Sequence, residues 1–344
     1  MGDRNLGASV ERWLRNRYAA TASPWSHEVP IVRKDRKVQS TLAPSFFGRI
    51  ARPMRDGNPH AMPELSVAGG SLHYDLAGQG SPVLLIHGVG VLGCGWRPQV
   101  NGLSANHQLL TFDNRGIGQS RFTGQVTIEA MAADALALMD AAGWGSAHIV
   151  GHSMGGVIAQ QIALNAPGRV RSLSLISTFA RGKDGARLTP WVLWMTVRTR
   201  LGTRAMRRRA FLEMLYPSDY LATAKLDALA MEVGALIGRD LALQPPVILK
   251  QVQALGRHDI SARLGALKGI RTQVISGRHD PIARPEYGRR LAELIPQATY
   301  EEVADASHGV TLQMPEWINE RLRRHFAVTE AAGRSGRNGG SRAG

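Results

Sequence analysis

The chain has a single cysteine and no long apolar run. Cys94 is the only cysteine among 344 residues, so no intramolecular disulfide can form, which suits a reducing compartment. The first residues carry charges throughout and contain no apolar core of about 7 to 15 residues. No segment approaches the roughly 18 apolar residues of a membrane-spanning helix. We therefore expect a cytoplasmic protein with neither a secretory signal nor a transmembrane segment.

Acidic and aromatic residues are also scarce. Asp and Glu number 27 against 42 Lys and Arg, which gives a formal net charge of +15, and aromatic residues make up 6% of the chain. A basic surface gathers phosphates, so nucleic acid is one possible partner. However, the sequence contains no nucleic-acid recognition motif and no array of stacking aromatic residues. We expect no nucleic-acid partner, and we interpret the charge mainly as surface solubility, with contact to an anionic membrane or an acidic carrier as the alternative.

The most informative segment is Gly151–Gly156, GHSMGG, which fits the pattern G-x-S-x-G. A short β-branched stretch, Ser146–Val150, precedes it, and a helical pattern that ends at Pro167 follows it. A strand, a sharp turn and a helix form the context in which this motif presents a nucleophile. Its glycines allow a close backbone approach while Ser153 takes a strained conformation. We predict that Ser153 is a nucleophile; a structural serine in a tight turn is the alternative.

Two further side chains, an acid and a histidine, lie in loops that follow predicted strands later in the chain. Together with Ser153 they could form a catalytic triad. Asp280 lies in a loop after the strand RTQVIS, and His308 lies in a loop after the strand TYEEV. A serine hydroxyl needs an adjacent base, and the base needs an acid that fixes its tautomer. The order Ser153, Asp280, His308 therefore predicts nucleophile, acid and base. Asp184 and Asp305 are the alternative acids. Asp184 lies too far past the end of its strand, and Asp305 lies on the loop of His308 itself, three residues before the histidine.

An apolar strand that runs into a His-Gly turn, Pro82–Gly90, supplies the last part of the expected site. Stabilisation of an oxyanion requires backbone N–H groups that converge on one point. We predict that these are the N–H groups of Met154, which follows the nucleophile, and of Val89 in the turn. No pattern in the chain calls for a cofactor or a metal ion, and we expect neither.

Taken together, these motifs resemble the α/β-hydrolase superfamily over roughly Glu64–Phe326. The segment His107–Ser120, a strand followed by DNRGIGQS, adds a further match. The resemblance implies an α/β-hydrolase fold, that is, a mostly parallel eight-stranded sheet with helices on both faces. It also implies that the helical stretch after the sixth strand forms a cap over the nucleophile. The alternation of strand and helix patterns along the chain points to the same class.

The chain divides into four parts on this reading. Residues 1–62 are predicted to be a basic, partly disordered arm, and residues 329–344, rich in Gly, Ser and Arg, a disordered tail. The core comprises residues 63–180 and 268–328. Residues 181–267 form the cap, because about 90 residues between two strands far exceed an ordinary crossover.

Three tryptophans are candidate substrate-binding residues. Trp96 follows the oxyanion turn and forms either a pocket wall or part of the core. Trp191 and Trp194 belong to the apolar cap segment WVLWMTV, which precedes an arginine-rich run. This segment is predicted to line the pocket under a basic rim; the alternatives are the core of the cap and an interfacial helix that touches lipid.

The nucleophile narrows the chemistry that the resemblance implies. Related haloalkane dehalogenases and epoxide hydrolases carry an aspartate at the elbow, whereas this chain carries Ser153. We expect a serine hydrolase that cleaves a small-molecule ester, lactone or thioester with an apolar acyl or ring group through an acyl-enzyme. A hydrolase of C–C bonds and a cofactor-free perhydrolase use the same triad and remain alternatives. A ligand-binding protein without catalysis is the alternative from another class. The sequence does not indicate the oligomeric state.

Overall fold

The computed structural model of the protein describes residues 63–185 and 189–339. The predicted arm, residues 1–62, lies outside the described residues, as do residues 186–188 and 340–344. Within the described residues, no helix is both long and apolar enough to cross a membrane.

The described core is built on one nine-stranded, mostly parallel sheet. Its strands are β1 (Glu64–Val67), β2 (Gly70–Ala77), β3 (Ser81–Ile86), β4 (His107–Phe112), β5 (Arg121–Phe122), β6 (Ala147–His152), β7 (Val170–Ile176), β8 (Thr272–Gly277) and β9 (Thr299–Val303). The order across the sheet is β1-β2-β4-β3-β6-β7-β8-β9, and β5 pairs with β2. Pairing is parallel from β4 through β9, whereas β1, β4 and β5 pair with β2 in the antiparallel sense. The eight predicted strands are all present. The two-residue β5 was not predicted. The observed strand numbers after it are therefore one higher than the predicted ones, and the sixth predicted strand corresponds to β7.

Helices connect the parallel strands and fill the long segment between β7 and β8. In chain order they are α1 (Arg97–Leu103), α2 (Ile128–Ala141), α3 (Met154–Asn165), α4 (Gly182–Gly185), α5 (Pro190–Arg198), α6 (Arg204–Leu215), α7 (Ser218–Thr223), α8 (Leu226–Leu236), α9 (Ile248–Arg257), α10 (Pro285–Leu294), α11 (Val310–Gln313) and α12 (Pro315–Gly339). Helices α4 to α9 form the segment that the sequence identifies as helical, here called the insertion.

Alternating side chains of the central strands build two cores, one on each face of the sheet. In β3, Leu84 and Ile86 join the core under α2 and α3, whereas Val83 and Leu85 join the core under α1 and α12. Successive side chains of a strand point to opposite faces. A strand that is buried on both faces therefore reads as the continuous apolar run PVLLI. The insertion has a separate small core around Phe211.

The last helix extends further than the sequence suggests. Residues 329–339 are helical, although their composition predicts a disordered tail from residue 329. The first residues of this extension are anchored: the Thr329 hydroxyl donates to the His325 carbonyl, and the Glu330 carboxylate lies 3.4 Å from His148 Nε2. The Thr329 bond lies within the helix itself, whereas the Glu330 contact is tertiary and overrides weak local helix propensity.

A buried histidine of α12 should make the fold sensitive to acid. Burial lowers the pKa of His325 to about 4, from an ordinary value of 6.5. Between these values the unfolded chain binds the proton and the folded chain does not, so stability falls as pH falls through this window. The full loss from this one group is about 3 kcal/mol.

We expect His325→Leu to flatten the dependence of unfolding free energy on pH between about 6.5 and 4, because the variant lacks the titrating group. Denaturant unfolding at several pH values measures the slope. His279→Leu is the control, since the side chain of His279 is exposed. If both variants retain the slope of the native protein, His325 is not a source of acid sensitivity.

Candidate active site

Ser153 lies in a strained turn between β6 and α3. Its φ is 56° and its ψ is −123°, a backbone conformation that non-glycine residues rarely adopt. Hydrogen bonds hold the turn on both sides: the Ser153 N–H donates to the Ile176 carbonyl (3.0 Å), and the Thr178 hydroxyl donates to the Ser153 carbonyl (2.7 Å). The strand, sharp turn and helix predicted around GHSMGG are therefore present.

The glycines beside Ser153 allow β6 and α3 to cross at very short range. A Cβ atom on Gly151 would lie 2.3 Å from the Gly155 carbonyl oxygen, and one on Gly155 would lie 2.0 Å from the Ile86 carbonyl oxygen. These distances are far below van der Waals contact, so alanine at either position would displace backbone. This crossing places Ser153 at the carboxyl edge of the sheet.

A chain of hydrogen bonds connects three of the predicted site residues. His308 Nε2 lies 3.1 Å from Ser153 Oγ, and His308 Nδ1 lies 2.8 Å from Asp280 Oδ2. A carboxylate only accepts, so Nδ1 carries the proton and donates to Asp280. Nε2 is then the free acceptor for the serine hydroxyl. All three residues are buried, so little water competes for these bonds.

The loop after β8 fixes the Asp280 carboxylate in place. Its Oδ1 accepts hydrogen bonds from the N–H groups of Ile282 and Ala283, both at 2.8 Å, while Oδ2 faces His308. The two alternative acids lie elsewhere. Asp184 pairs with Arg181 at 2.9 Å, and the carbonyl of Asp305 accepts from the Gln313 side chain.

The turn that follows β3 passes directly over Ser153. A Cβ atom on Gly88 would lie 2.8 Å from Ser153 Cβ and 3.2 Å from Ser153 Oγ. The backbone immediately before Val89 therefore borders the serine. Met154, the other predicted oxyanion residue, is the first residue of α3 and is buried.

Two side chains of the insertion hold this turn through one residue, Gly90. The Gly90 N–H donates to Gln251 Oε1 at 2.9 Å, and the Gly90 carbonyl accepts from Arg239 Nε at 3.1 Å. Gln251 is fully buried, and the Arg239 guanidinium lies 5.1 Å from the centre of the Phe211 ring. Burial lowers the pKa of Arg239 to about 10, so it still carries its charge at neutral pH. Sequence analysis missed both residues, because no local pattern distinguishes them from the other polar residues of the insertion.

Buried histidines surround the hydrogen-bonded chain. His152 Nε2 donates to the His308 carbonyl at 2.8 Å, and the two rings lie 4.9 Å apart. Burial lowers the pKa of His152 well below its ordinary value and that of His87 to about 3. Both imidazoles are therefore neutral near pH 7, where they support His308 without adding charge to the site.

The three tryptophans that the sequence suggests as pocket residues differ in their exposure. Trp96 is fully buried in the core, with its ring 4.5 Å from that of His87, which favours the core alternative. Trp194 is 59% exposed and Trp191 is half-buried on the same helix. A helix in which apolar residues occur on every side does not reveal from its sequence which side faces the site.

Other apolar residues of the insertion contact the loops of the site. The Leu215 carbonyl accepts from the N–H of Gly309, the neighbour of His308, at 2.9 Å. The Ile248 side chain lies over Gly90, where a glycine Cβ would be 2.8 Å from Ile248 Cδ1. The insertion thus touches both the loop of His308 and the turn that contains Val89.

The opposite edge of the sheet carries a separate opening. A cavity of about 940 Å³ is lined there by Ser81, His148, Arg171 and Arg271, among others. These residues lie at the amino ends of their strands, away from Ser153. Among the described residues, no cluster of three or more His, Cys, Asp or Glu side chains is placed to hold a metal ion.

Comparison with known proteins decides the family. The family model described as the alpha/beta hydrolase fold matches residues 81–315, more than half of the chain. The chain belongs to the α/β-hydrolase fold family. This α/β-hydrolase is 32% identical over 262 residues to the "Putative carbamate hydrolase RutD" of Azorhizobium caulinodans, a match that covers 76% of this chain and 97% of the relative.

Two solved structures extend the similarity to the backbone. The enol-lactonase from Burkholderia xenovorans LB400 superimposes with a TM-score of 0.65 at 28% identity, covering 77% of this chain and 100% of the other. A thermophilic esterase from Thermogutta terrifontis gives a TM-score of 0.63 at 26% identity, covering 76% and 94%. The α/β-hydrolase described here is accordingly an enzyme of the hydrolase class.

We expect Gln251→Leu to loosen the turn over Ser153, because it leaves the Gly90 N–H buried without an acceptor. An unpaired buried donor costs about 1–3 kcal/mol. Denaturant unfolding should show that loss, and hydrogen exchange at the Gly90 amide should be faster. Gln253→Leu makes the same chemical change at an exposed position of α9. Equal stability and equal exchange in both variants would contradict a role for Gln251 in holding the turn.

Proposed function

We propose that the protein is a serine hydrolase that cleaves a carboxylic ester, lactone or thioester through a covalent acyl-enzyme. Ser153 is the nucleophile, His308 the general base and Asp280 the acid that orients it. The observation that carries the proposal is the continuous hydrogen-bonded chain from Asp280 Oδ2 through both ring nitrogens of His308 to Ser153 Oγ.

The first half of the proposed reaction forms the acyl-enzyme. Ser153 Oγ attacks the carbonyl carbon of the substrate while His308 Nε2 takes the hydroxyl proton. The imidazolium that forms is stabilised by Asp280, which stays ionised. His308 then gives the proton to the leaving oxygen or sulfur atom as the bond to the acyl carbon breaks.

The second half releases the acid and restores the enzyme. A water molecule loses a proton to His308 as it attacks the acyl carbon, and the proton returns to Ser153 Oγ as the acyl–enzyme bond breaks. Negative charge develops on the acyl oxygen in both halves. The backbone N–H groups of Met154 and Val89 are proposed to stabilise it, which is supported by the short distance between Gly88 and Ser153.

We further propose that the acyl or ring group of the substrate is apolar. Leu215 and Ile248 support this part, since both contact residues next to His308 and Val89. They replace Trp191 and Trp194 as the proposed pocket residues. Burial of an apolar group against such side chains is worth about 25 cal/mol for each square ångström.

We expect Ser153→Ala to abolish turnover while leaving the fold intact, because no other group can form the acyl-enzyme. Loss of a triad nucleophile lowers turnover on the order of a million-fold. The assay is a panel of p-nitrophenyl esters, lactones, thioesters and carbamates, with the last included because of the RutD relative. Covalent labelling of the native protein by a fluorophosphonate, and none of the variant, provides a readout that does not depend on the substrate.

The outcomes separate the alternatives. Turnover of the panel with no effect of Ser153→Ala contradicts the proposal. Labelling without turnover of any acyl substrate redirects the search to C–C bond hydrolysis or perhydrolysis on the same residues. Neither labelling nor turnover in a folded protein favours a ligand-binding protein without catalysis.

We expect Asp280→Asn to lower turnover by about ten-thousand-fold, since an amide at this position favours the wrong tautomer of the base histidine. The control is Asp184→Asn, which removes a carboxylate that pairs with Arg181 instead. Steady-state kinetics of both variants on the best substrate of the panel measure the effect. A silent Asp280→Asn together with an inactive Asp184→Asn would assign the acid to the loop after β7.

A further inference from the structure

The outer side of the insertion carries large apolar side chains that face solvent. They lie on α5, on the turn that follows it and in the first turn of α6: Leu193, Trp194, Val197, Leu201 and Met206, here called the apolar patch. Each is between 46% and 65% exposed. Single exposed apolar residues are ordinary on a protein surface, but five within fourteen consecutive positions mark an interaction site.

The patch is one face of a two-faced helix. In α5, Leu193, Trp194 and Val197 follow the spacing i, i+1, i+4, which places them on one side. Met195 and the adjacent Thr199 are buried toward the rest of the insertion. The exposed face is therefore not a packing defect of the helix, since the other face already packs against α6.

Arginines surround the patch without acidic residues between them. The segment from Thr189 to Arg209 contains six arginines and no Asp or Glu, and these arginines are here called the basic rim. Two carboxylates from outside this segment neutralise part of it. Glu213 pairs with Arg198 and Arg209, and Asp240 pairs with Arg204 and Arg208.

Two arginines of the basic rim keep an uncompensated charge. Within residues 63–185 and 189–339, no carboxylate lies within ion-pair distance of Arg200 or Arg207. After pairing, the basic rim retains a net positive charge. A partner for this surface must therefore offer apolar contact and negative charge at the same place.

This requirement selects among the available partners. A second copy of the protein would place one basic rim against another, which is repulsive. Residues 1–62 of the same chain contain eleven Lys and Arg against five Asp and Glu, so their composition does not supply the excess of negative charge that this surface requires. A lipid surface with anionic headgroups supplies acyl chains for the apolar side chains and phosphates for the arginines.

We propose that the apolar patch and the basic rim dock the protein on a membrane surface that contains anionic lipid. Trp194 is the largest side chain of the patch, with the Arg198 guanidinium 5.9 Å from the centre of its ring. Tryptophan and arginine together suit the boundary between acyl chains and headgroups.

The docking surface lies close to the candidate active site. Helix α6 carries Met206 of the patch in its first turn and ends at Leu215, whose carbonyl accepts from the N–H of Gly309 beside His308. Nine residues of helix separate these ends, about 14 Å. A protein docked through the patch would hold its active-site loops near the lipid phase, in which an apolar substrate is concentrated.

The test is vesicle binding by the full-length protein. Large vesicles of phosphatidylcholine, with or without a quarter of phosphatidylglycerol, are sedimented with the protein, and the bound fraction is measured. We expect binding to the anionic vesicles that decreases as salt is added, and little binding to pure phosphatidylcholine. No binding to anionic vesicles at low salt overturns the proposal, independently of any catalytic activity.

Matched double variants assign the binding to the patch. Trp194→Ser with Leu201→Ser should weaken vesicle binding at least about tenfold, because burial of even one large apolar side chain corresponds to that factor. Met231→Ser with Leu249→Ser removes two side chains of similar exposure, 57% and 58%, elsewhere on the insertion. An equal loss in both double variants overturns the assignment to the patch.

Charge variants complete the test. Arg200→Gln with Arg207→Gln should weaken binding to anionic vesicles by about fivefold for each arginine. Arg257→Gln with Arg263→Gln removes the same charge from two other exposed positions and should have a smaller effect. Sedimentation velocity of the native protein and of the Trp194 variant measures whether the patch binds a second copy of the protein instead of lipid. An oligomer that is lost only in that variant contradicts the lipid proposal.

Discussion

The close crossing of β6 and α3 is the constraint on which the rest of the site depends. Gly151 and Gly155 allow it, and the positive φ of Ser153 completes it. The strained turn is held by the neighbouring strand, because Ser153 bonds to Ile176 and Thr178 around the end of β7. Strain of this kind persists only where the surrounding structure over-determines it. A parallel sheet supplies that support, since its strands all end at one edge.

The sequence revealed those parts of the molecule whose function depends on local order along the chain. Strands β6, β8 and β9 are each followed by a loop that carries one predicted residue, so Ser153, Asp280 and His308 could be named as candidates from motif and order alone. The eight predicted strands are all present, because strands buried on both faces read as short apolar runs. A resemblance to α/β-hydrolases, now shown by the family match over residues 81–315, rested on the same local signals.

What the sequence did not reveal depends on contacts between distant segments. Gln251 and Arg239 meet Gly90 across more than 140 positions of sequence, and no local pattern records such a contact. The position of Trp96 was ambiguous, because a tryptophan is equally suited to a pocket wall and to the hydrophobic core. The helical continuation of α12 past residue 329 is supported by the contact of Glu330 with His148, whereas composition there indicates disorder. In each case the local sequence was compatible with more than one structure, and tertiary packing determined which one formed.

The two sides of the insertion follow different physical requirements. Its inner side forms hydrogen bonds with backbone groups of the site loops. Gln251 accepts from the Gly90 N–H, Arg239 donates to the Gly90 carbonyl, and the Leu215 carbonyl accepts from the Gly309 N–H. These bonds are directional, so the inner side tolerates little substitution. Its outer side presents Trp194 and arginines to solvent, where contact is non-directional and depends on area and charge. Selection of the acyl group should therefore be sought on the inner side, and association with other surfaces on the outer side.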